Sequence, residues 1–319
     1  MLTTRFTDRV GCKLPIQQAG MGGVAGPDLA VAVSAAGGLG TVALHMMPAP
    51  MVAETLDAMS LRTTAPLAFN VLVPFVDREA VAAASSRCRL VEFFYDDPDA
   101  DLVRIAHEGG ALAAWQIGSR AEAEAARDAE CDIVIVQGVE AGGHVRGSVG
   151  LLALLPEVLD SVEVPVVAAG GIGSARAAAA ALAAGADAVR VGTRFVATQE
   201  ADTHPDYADA LVRARAEDTV LTEAFSVMWP DAPHRVLRSC VDKAEALDDD
   251  AVGEIEIGGT TMPVPRLSVL APTRATSGSV DAMALYAGQS VTDVAGVVPA
   301  RDVVIEITTG AEELLRHWA

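Results

Sequence analysis

The expected fold depends most on one stretch of sequence, Val164-Pro-Val-Val-Ala-Ala-Gly-Gly-Ile-Gly173. Its apolar, β-branched run ends in glycines, and the alanine-rich stretch Ala175–Ala184 follows, small enough to pack closely on a layer of strands. A second apolar run comes next and ends in Gly192-Thr193. This succession of strand, glycine turn, helix and strand is the repeating unit of parallel α/β proteins.

The same unit recurs along most of the chain. Short runs rich in valine, isoleucine and leucine alternate with helical stretches such as Pro27–Ala36 and Arg120–Ala129. The eight predicted strands are Pro15–Gly20, Leu39–Leu44, Leu67–Val73, Leu90–Tyr95, Ala111–Ile117, Asp132–Gln137, Val164–Gly170 and Asp187–Gly192. Eight alternations predict an α/β fold, the (β/α)₈ TIM barrel. An open doubly wound sheet is the alternative, but such sheets usually stop at about five or six strands.

After residue 200 the rhythm breaks, so we divide the chain into two parts. Residues 1–215 and 279–319 are assigned to the barrel, and residues 216–278 to a helical and irregular C-terminal cap packed on the barrel mouth. A stretch rich in glycine, proline and threonine runs from Ile257 to Gly278, and a last helix is predicted from Ala311. The acidic run at Asp248–Asp250 favours a solvated loop over a metal site.

The composition limits the partners. The formal net charge is −20, which opposes binding to phosphate backbones and anionic membranes, so no nucleic acid and no membrane is expected. No apolar run reaches the ~18 residues of a membrane span, and the start of the chain lacks the layout of a secretory signal. The four cysteines form no CxxC pair, which suits a reducing cytoplasm. We therefore expect a soluble, cytoplasmic protein.

Two neighbouring strand ends carry the residues of a phosphate site. Gly170, Gly171 and Gly173 follow the seventh predicted strand, and Gly192-Thr193 ends the eighth. Glycines let backbone N–H groups approach an anion, and barrels commonly bind phosphate after these two strands. The glycines of the seventh strand alone are equally typical of a tight strand-to-helix turn. Their occurrence at consecutive strands favours phosphate.

A third glycine cluster follows the sixth predicted strand, in Gln137-Gly-Val-Glu-Ala-Gly-Gly-His144. An imidazole titrates near neutral pH, so His144 is the candidate to remove a proton from a weakly acidic carbon or to stabilise a bound anion. His45, at the end of the second strand, is a weaker candidate for the mouth. The other histidines, His107, His204, His234 and His317, lack such a setting, and no HxH or HExxH spacing indicates a metal.

With these features in place, the chain resembles the nitronate monooxygenases, formerly called 2-nitropropane dioxygenases. The resemblance covers about residues 10 to 200 and resumes near Ala284–Ser290. The motifs that carry it are Pro15-Ile-Gln-Gln-Ala-Gly-Met21, Phe69-Asn70-Val, Gln137-Gly-Val-Glu-Ala-Gly-Gly-His144, Ala168-Ala-Gly-Gly-Ile172, Gly185-Ala-Asp187, Val191-Gly-Thr-Arg-Phe-Val-Ala-Thr198 and Tyr286-Ala-Gly-Gln289. Each motif is weak alone, but their order agrees with the barrel.

The resemblance implies non-covalent FMN and no metal. The implied cofactor-binding residues are Gly20 and Met21 against the isoalloxazine, Asn70 and Gln137 at its polar edge, Gly142 and Gly143 near the ring and ribityl chain, Gly170, Gly171, Arg190, Val191, Gly192 and Thr193 at the glycine-rich strand ends around the phosphate, and Tyr286, Gly288 and Gln289 closing the site from the tail. His144 matches the family's catalytic histidine, the proposed base for neutral nitroalkanes.

Two positions depart from the family pattern. The best-known class usually has proline where this chain has Gly20, whereas the related flavin-dependent enoyl-ACP reductases have glycine. Arg190 stands where a neutral residue such as glutamine is common. As a cation near the phosphate it would strengthen FMN binding, and the alternative is a side chain directed to the surface.

The leading expectation is therefore oxidation of alkyl nitronates by FMN and dioxygen, which yields a carbonyl compound and nitrite. The first alternative is an NAD(P)H-dependent flavin reductase that acts on an enoyl thioester or a quinone. The second is a non-catalytic barrel that binds flavin or phosphate. The physiological substrate stays open, as does the oligomeric state, for which a homodimer is one option.

Overall fold

The computed structural model describes residues 2–257 and 260–318. The strands are β1 (Ile16–Gln18), β2 (Gly40–Val42), β3 (Leu67–Leu72), β4 (Leu90–Phe94), β5 (Leu112–Ile117), β6 (Ile133–Gln137), β7 (Gly143–His144), β8 (Val166–Ala169), β9 (Ala188–Val191), β10 (Thr219–Thr222), β11 (His234–Leu237), β12 (Ala251–Ile257), β13 (Thr260–Pro265) and β14 (Thr276–Gly278).

The α-helices are α1 (Arg5–Val10), α2 (Pro27–Ala35), α3 (Ala49–Ser60), α4 (Arg78–Ser85), α5 (Ala100–Glu108), α6 (Arg120–Asp128), α7 (Leu151–Leu159), α8 (Ala175–Ala183), α9 (Thr193–Val196), α10 (Pro205–Arg213), α11 (Arg238–Glu245) and α12 (Ala300–Trp318). Short 3₁₀ turns cover Val73–Phe75, Ala216–Asp218, Val280–Ala282 and Gln289–Asp293.

Eight parallel strands form one sheet in the order β1-β9-β8-β6-β5-β4-β3-β2. Its two edges meet, because Gln18 N donates to Leu39 O at 2.9 Å and Leu39 N donates to Ile16 O at 2.9 Å. The sheet is therefore a barrel, which confirms the TIM-barrel prediction and makes the open-sheet alternative wrong. Each of the eight predicted runs contains one barrel strand.

The strands alternate between two apolar layers, as the period of two in a pleated strand requires. In β8, Val166 and Ala168 pack outward against the helices, whereas Val167 and Ala169 pack inside the barrel. Phe6 of α1 belongs to the inner cluster, so this helix plugs the amino-terminal end of the barrel. The carboxyl-terminal end is left for a site, as in other barrels of this class.

One pleat closer to the carboxyl ends, the barrel interior becomes polar. The buried side chains of this polar layer are Gln17, Thr41, Asn70, Glu92, Gln116, Gln137 and Arg190. Buried polar groups are stable only when they are hydrogen-bonded, so this layer must be an ordered network. It forms the floor of the barrel mouth.

The region after residue 200 is joined to a barrel loop by strand pairing. Strand β11 pairs antiparallel with β7, in the loop after β6, and places His234 opposite His144 and Arg235 opposite Gly143. Strands β13, β12 and β14 form a second small sheet over part of the glycine-rich stretch, whose residues 258 and 259 lie outside the described residues. Segment 216–278 therefore helps to build the mouth.

The last helix begins before the predicted position. The prediction placed its start at Ala311, but α12 begins at Ala300. Val303, Val304, Ile307 and Ala311 are buried, which is the spacing of an amphipathic helix that packs on the barrel. Asp248–Asp250 are exposed, as expected. No helix in the described residues is long and apolar enough to cross a bilayer.

Candidate active site

The loop after β8 has a backbone that only glycine tolerates well. Gly170 has φ of 105° and Gly171 has φ of 68°, both in the left-handed region. A Cβ atom at Gly170 would also lie 2.9 Å from the carbonyl oxygen of Gly138, in the loop after β6. The glycines therefore serve both the turn and the close approach of two neighbouring loops.

Free backbone donors lie where the sequence predicts a phosphate site. Among the described residues, the N–H groups of Gly171, Gly192 and Thr193 donate to no acceptor. Thr193 is buried, and its Oγ1 accepts a bond from Gly288 N at 3.0 Å. N–H groups at adjacent strand ends, together with a hydroxyl, are the donor set that a phosphoryl group requires.

The loops after β1 and β9 and strand β3 converge beside these donors. A Cβ atom at Gly20 would lie 2.5 Å from both Cβ and Cγ of Asn70, so the Gly20 backbone rests directly on the asparagine side chain. A Cβ atom at Gly192 would lie 3.8 Å from Sδ of Met21. Residues that the resemblance assigns to the isoalloxazine therefore lie next to a residue that it assigns to the phosphate.

The C-terminal segment Tyr286–Gln289 packs on the loop after β6. A Cβ atom at Gly142 would lie only 2.3 Å from Gly288 N, and Gln289 N donates to Glu140 O at 3.0 Å. The side chain of Gln289 is exposed, so this residue contributes through its backbone. That this segment closes the cofactor site stays a prediction.

Gln137 supports the loop that carries the catalytic candidate. Its Nε2 donates to His144 O at 2.9 Å, and its Oε1 accepts a bond from Arg146 N at 3.1 Å. The resemblance implies a bond from Gln137 to the polar edge of the flavin. In the structure the two ends of the amide bond instead to backbone groups of His144 and Arg146. Gln137 therefore fixes the position of His144.

His144 lies in a cluster of aromatic rings. Its ring centroid is 3.9 Å from that of Trp229, with the rings stacked, and 5.6 Å from that of Tyr95. His234 and Tyr286 complete the cluster, with centroids 5.3 and 5.8 Å from His144. Nε2 of His144 is buried and has no hydrogen-bond partner among the described residues. Such an orphaned atom is a place for a ligand to bind.

Burial keeps His144 neutral. The loss of solvent lowers the pKa of His144 to about 3, and the neighbouring His234 and His45 lower it further in smaller measure. A neutral imidazole accepts a proton or forms a hydrogen bond, but it does not supply a fixed positive charge. His144 can therefore stabilise a bound anion through a hydrogen bond but not through a positive charge.

His234 is a member of the cluster that the sequence analysis set aside. It is fully buried, its Nδ1 lies 2.9 Å from Ala232 O, and its Nε2 accepts a bond from Phe225 N at 3.3 Å. Nδ1 therefore carries the proton and donates to the carbonyl. His234 contacts the ring of His144 from the facing strand.

His45 borders an apolar cavity next to this cluster. The cavity has a volume of about 270 Å³ and is lined by residues that include Met46, Asn70, Phe75 and Val76. Burial lowers the pKa of His45 to about 4, so this imidazole is also neutral. The cavity adjoins Asn70, so an apolar group of a substrate has space beside the expected flavin edge.

Strained backbone is concentrated at the mouth. Tyr95, Met46 and Met228 have φ values of 75°, 62° and 79°, in the left-handed region that non-glycine residues rarely adopt. Tyr95 touches His144, Met46 lines the cavity, and Met228 precedes the stacked Trp229. Strain of this kind persists at sites where the surrounding structure needs a particular geometry.

Arg190, which the sequence places near the phosphate, and Arg146, in the loop after β6, are both already paired. Both terminal nitrogens of Arg190 donate to Glu92 inside the barrel, so Arg190 is neither directed to the surface nor free for a phosphate. Arg146 donates to Glu122 at 2.6 Å and to Asp97 at 2.5 Å. Neither guanidinium offers an uncompensated charge to a substrate. The described residues also contain no cluster of side chains suited to a metal ion.

The barrel and its site together define a class of protein. Within the described residues, the N–H donors without acceptors at neighbouring strand ends, the glycine backbones that leave room for a flat group, and an imidazole nitrogen without a hydrogen bond fit an oxidoreductase barrel that binds a flavin.

Comparison with known proteins places the chain within that class. The family model for nitronate monooxygenase matches residues 3–86 and 73–310. A CoA dehydrogenase of Rhodococcus jostii, named for a 5-hydroxy-7a-methyl-1-oxo-octahydro-1H-indene-4-carboxyl-CoA, is 38% identical over 75% of this chain and 66% of its own length.

Two solved structures resemble the whole chain. FabK from Thermotoga maritima is 29% identical, with a TM-score of 0.83 over 100% of this chain and 99% of its own. Nitroalkane oxidase from Streptomyces ansochromogenes is 30% identical, with a TM-score of 0.82 over 99% of this chain and 100% of its own. The chain belongs to the nitronate monooxygenase family of flavin-dependent oxidoreductases.

Proposed function

We propose that this protein is an FMN-dependent enzyme that oxidises alkyl nitronates with dioxygen to a carbonyl compound and nitrite. The observation that carries the proposal is Nε2 of His144, which is buried, has no hydrogen-bond partner in the described part of the chain and is ringed by aromatic side chains. A small substrate with an apolar chain and a polar head fits such a setting. The family match and the nitroalkane oxidase neighbour support this substrate class.

The residues at the strand ends would hold FMN. The N–H groups of Gly171, Gly192 and Thr193 would receive its phosphate, and the Gly20 loop with Asn70 would face its ring. FMN when bound supplies the redox chemistry, in which it accepts electrons from the substrate and passes them to dioxygen. The protein binds and orients the substrate and keeps the reacting groups away from water.

The neutral state of His144 decides which substrate form needs it. A neutral nitroalkane must lose a proton from carbon, and the free Nε2 lone pair of a neutral imidazole is able to take it. A nitronate has already lost that proton. His144 would therefore matter as a base for nitroalkanes and as a hydrogen-bonding group for nitronates.

A second candidate is oxidation or reduction of an acyl thioester. The 38% identity to a CoA dehydrogenase supports it, as does the apolar rim of the mouth. Met46 is 73% exposed, Met228 48% and Phe75 38%, a wider apolar opening than a small nitronate needs. Position 20 is glycine, as in the related enoyl-ACP reductases, and this also favours a thioester substrate.

A visible spectrum and an anaerobic reduction assay test these candidates. The purified protein should be yellow, and an alkyl nitronate should bleach the flavin band faster than NADH, NADPH or a saturated acyl-CoA does. Rapid bleaching by a pyridine nucleotide or an acyl-CoA, with none by nitronate, would refute nitronate oxidation and favour the thioester. A colourless protein that takes up no added FMN would refute both.

A further inference from the structure

The strongest feature that the proposed function does not use is a buried ion pair in the polar layer of the barrel. Glu92 is 1% exposed and Arg190 is 5% exposed. Both terminal nitrogens of Arg190 donate to the carboxylate, with Nη2 at 2.7 Å from Oε1. A bidentate pair of this kind is the strong form of the contact, and breaking a buried one leaves an uncompensated charge.

The same carboxylate fixes two amides. Asn70 Nδ2 donates to Oε1 of Glu92 at 2.8 Å, and Gln17 Nε2 donates to Oε2 at 2.5 Å. Because each amide turns its nitrogen to Glu92, each turns its oxygen away. Oε1 of Gln17 is buried with no partner among the described residues, so the amide is oriented by the acceptors of Nε2, which are Glu92 and, at 3.2 Å, Oγ1 of Thr41.

The orientation of Asn70 matters because the site begins there. A Cβ atom at Gly20 would lie 2.9 Å from Oδ1 of Asn70, so this oxygen lies at the Gly20 loop, where the flavin ring is expected. Glu92 therefore makes Asn70 a hydrogen-bond acceptor toward that loop. Without a carboxylate at position 92, the amide would be free to turn over.

Besides orienting Asn70, the Glu92–Arg190 pair sets the net charge below the Gly20 loop. Arg190 and Glu92 cancel each other, so the floor of the mouth carries no net charge in the wild-type protein. In a low-dielectric interior an uncompensated charge several ångströms from a redox group changes the stability of the reduced state strongly. A cation left alone would favour the reduced flavin, and an anion left alone would disfavour it.

We propose that Glu92 and Arg190 are positioning residues that orient Asn70 and keep the floor of the flavin site electrically neutral. The inference rests on the proposed function in one respect, that FMN occupies the mouth. It concerns residues below the cofactor and not those that touch substrate. It also explains how this chain accommodates an arginine where related proteins commonly have a neutral side chain.

The test compares Glu92→Gln, Arg190→Gln and the double variant in FMN-loaded protein. The readout is the equilibrium constant for two-electron reduction of bound FMN, from its midpoint potential. We expect Glu92→Gln to raise this constant at least tenfold, about 30 mV. The double variant, which is neutral again, should return to within threefold of the wild type. Equal potentials in the wild type and Glu92→Gln would overturn the inference.

Asp187→Asn provides the matched control. It removes another carboxylate in an ion pair, with Arg5 at 2.7 Å, at the opposite end of the barrel. Its FMN potential should stay at the wild-type value, although its stability falls. A shift as large as that of Glu92→Gln would show a general effect of stability and would overturn the inference.

Arg190→Gln keeps the test decisive if Glu92→Gln does not fold. Its reduction constant should fall at least tenfold relative to wild type, because the carboxylate of Glu92 is left without its cation. An unchanged constant would overturn the inference. Wild-type protein that binds no FMN would instead refute the proposed function, so the two failures are distinguishable.

Discussion

Replacing Gly142 with alanine tests how the C-terminal segment is joined to the glycine loop. The added Cβ atom would lie 2.3 Å from Gly288 N and 2.7 Å from the carbonyl carbon of Ala287, distances that no real contact reaches. Both obstacles are backbone atoms, so the two segments must separate by about 1 Å. Overpacking of this kind costs about 3 kcal/mol of unfolding free energy.

Gly143→Ala, at the adjacent position, is the control. Gly143 has φ of 73°, but a Cβ atom there would meet no atom within 4 Å. Its cost is therefore the left-handed conformation alone, about 1 kcal/mol. The assay is denaturant unfolding of the flavin-free proteins, followed by FMN titration. We expect Gly142→Ala to lose about 2 kcal/mol more than Gly143→Ala and at least tenfold more FMN affinity.

The comparison has a clear contrary outcome. If Gly142→Ala is no less stable than Gly143→Ala and binds FMN equally well, the tail is not packed on the glycine loop as described.

Three other predictions follow from the site. His144→Asn should keep FMN bound while turnover of neutral nitroalkanes falls by about 10²–10⁴-fold and turnover of nitronates falls less; equal loss on both substrates in steady-state assays would contradict the role as base. Thr193→Ala should weaken FMN binding about tenfold in a fluorescence titration, because it removes a hydroxyl from the expected phosphate site; unchanged affinity would count against that site. The lowered pKa of His144 means that the unfolded state, with an ordinary value of about 6.5, binds the proton first as the pH falls. Stability is therefore full above about pH 6.5 and declines toward pH 3, with a loss of about 2 kcal/mol at about pH 5 from this residue. Denaturant unfolding of the flavin-free protein should show that loss, and His144→Asn should lack it.

Local sequence patterns were enough to predict the barrel but not the cluster of aromatic rings around His144. The glycines at 142, 170 and 192 follow buried strands, and the carboxyl ends of parallel strands share one end of a barrel, so their convergence could be predicted. Trp229 and His234 lie in a segment with no repeating pattern. They reach His144 only because β11 pairs with β7, a contact between residues about 90 positions apart.

What the sequence alone determined is the set of elements, because alternating apolar runs and glycine turns are local and repeat. It also placed the glycine turns and His144 at one end of the barrel. Tertiary structure decided the charges and orientations: that Arg190 meets Glu92, that Gln137 holds a loop, and that His144 is neutral. These properties depend on which distant groups are brought together and on how much water is removed from around them. Neither can be predicted from a local stretch of the sequence.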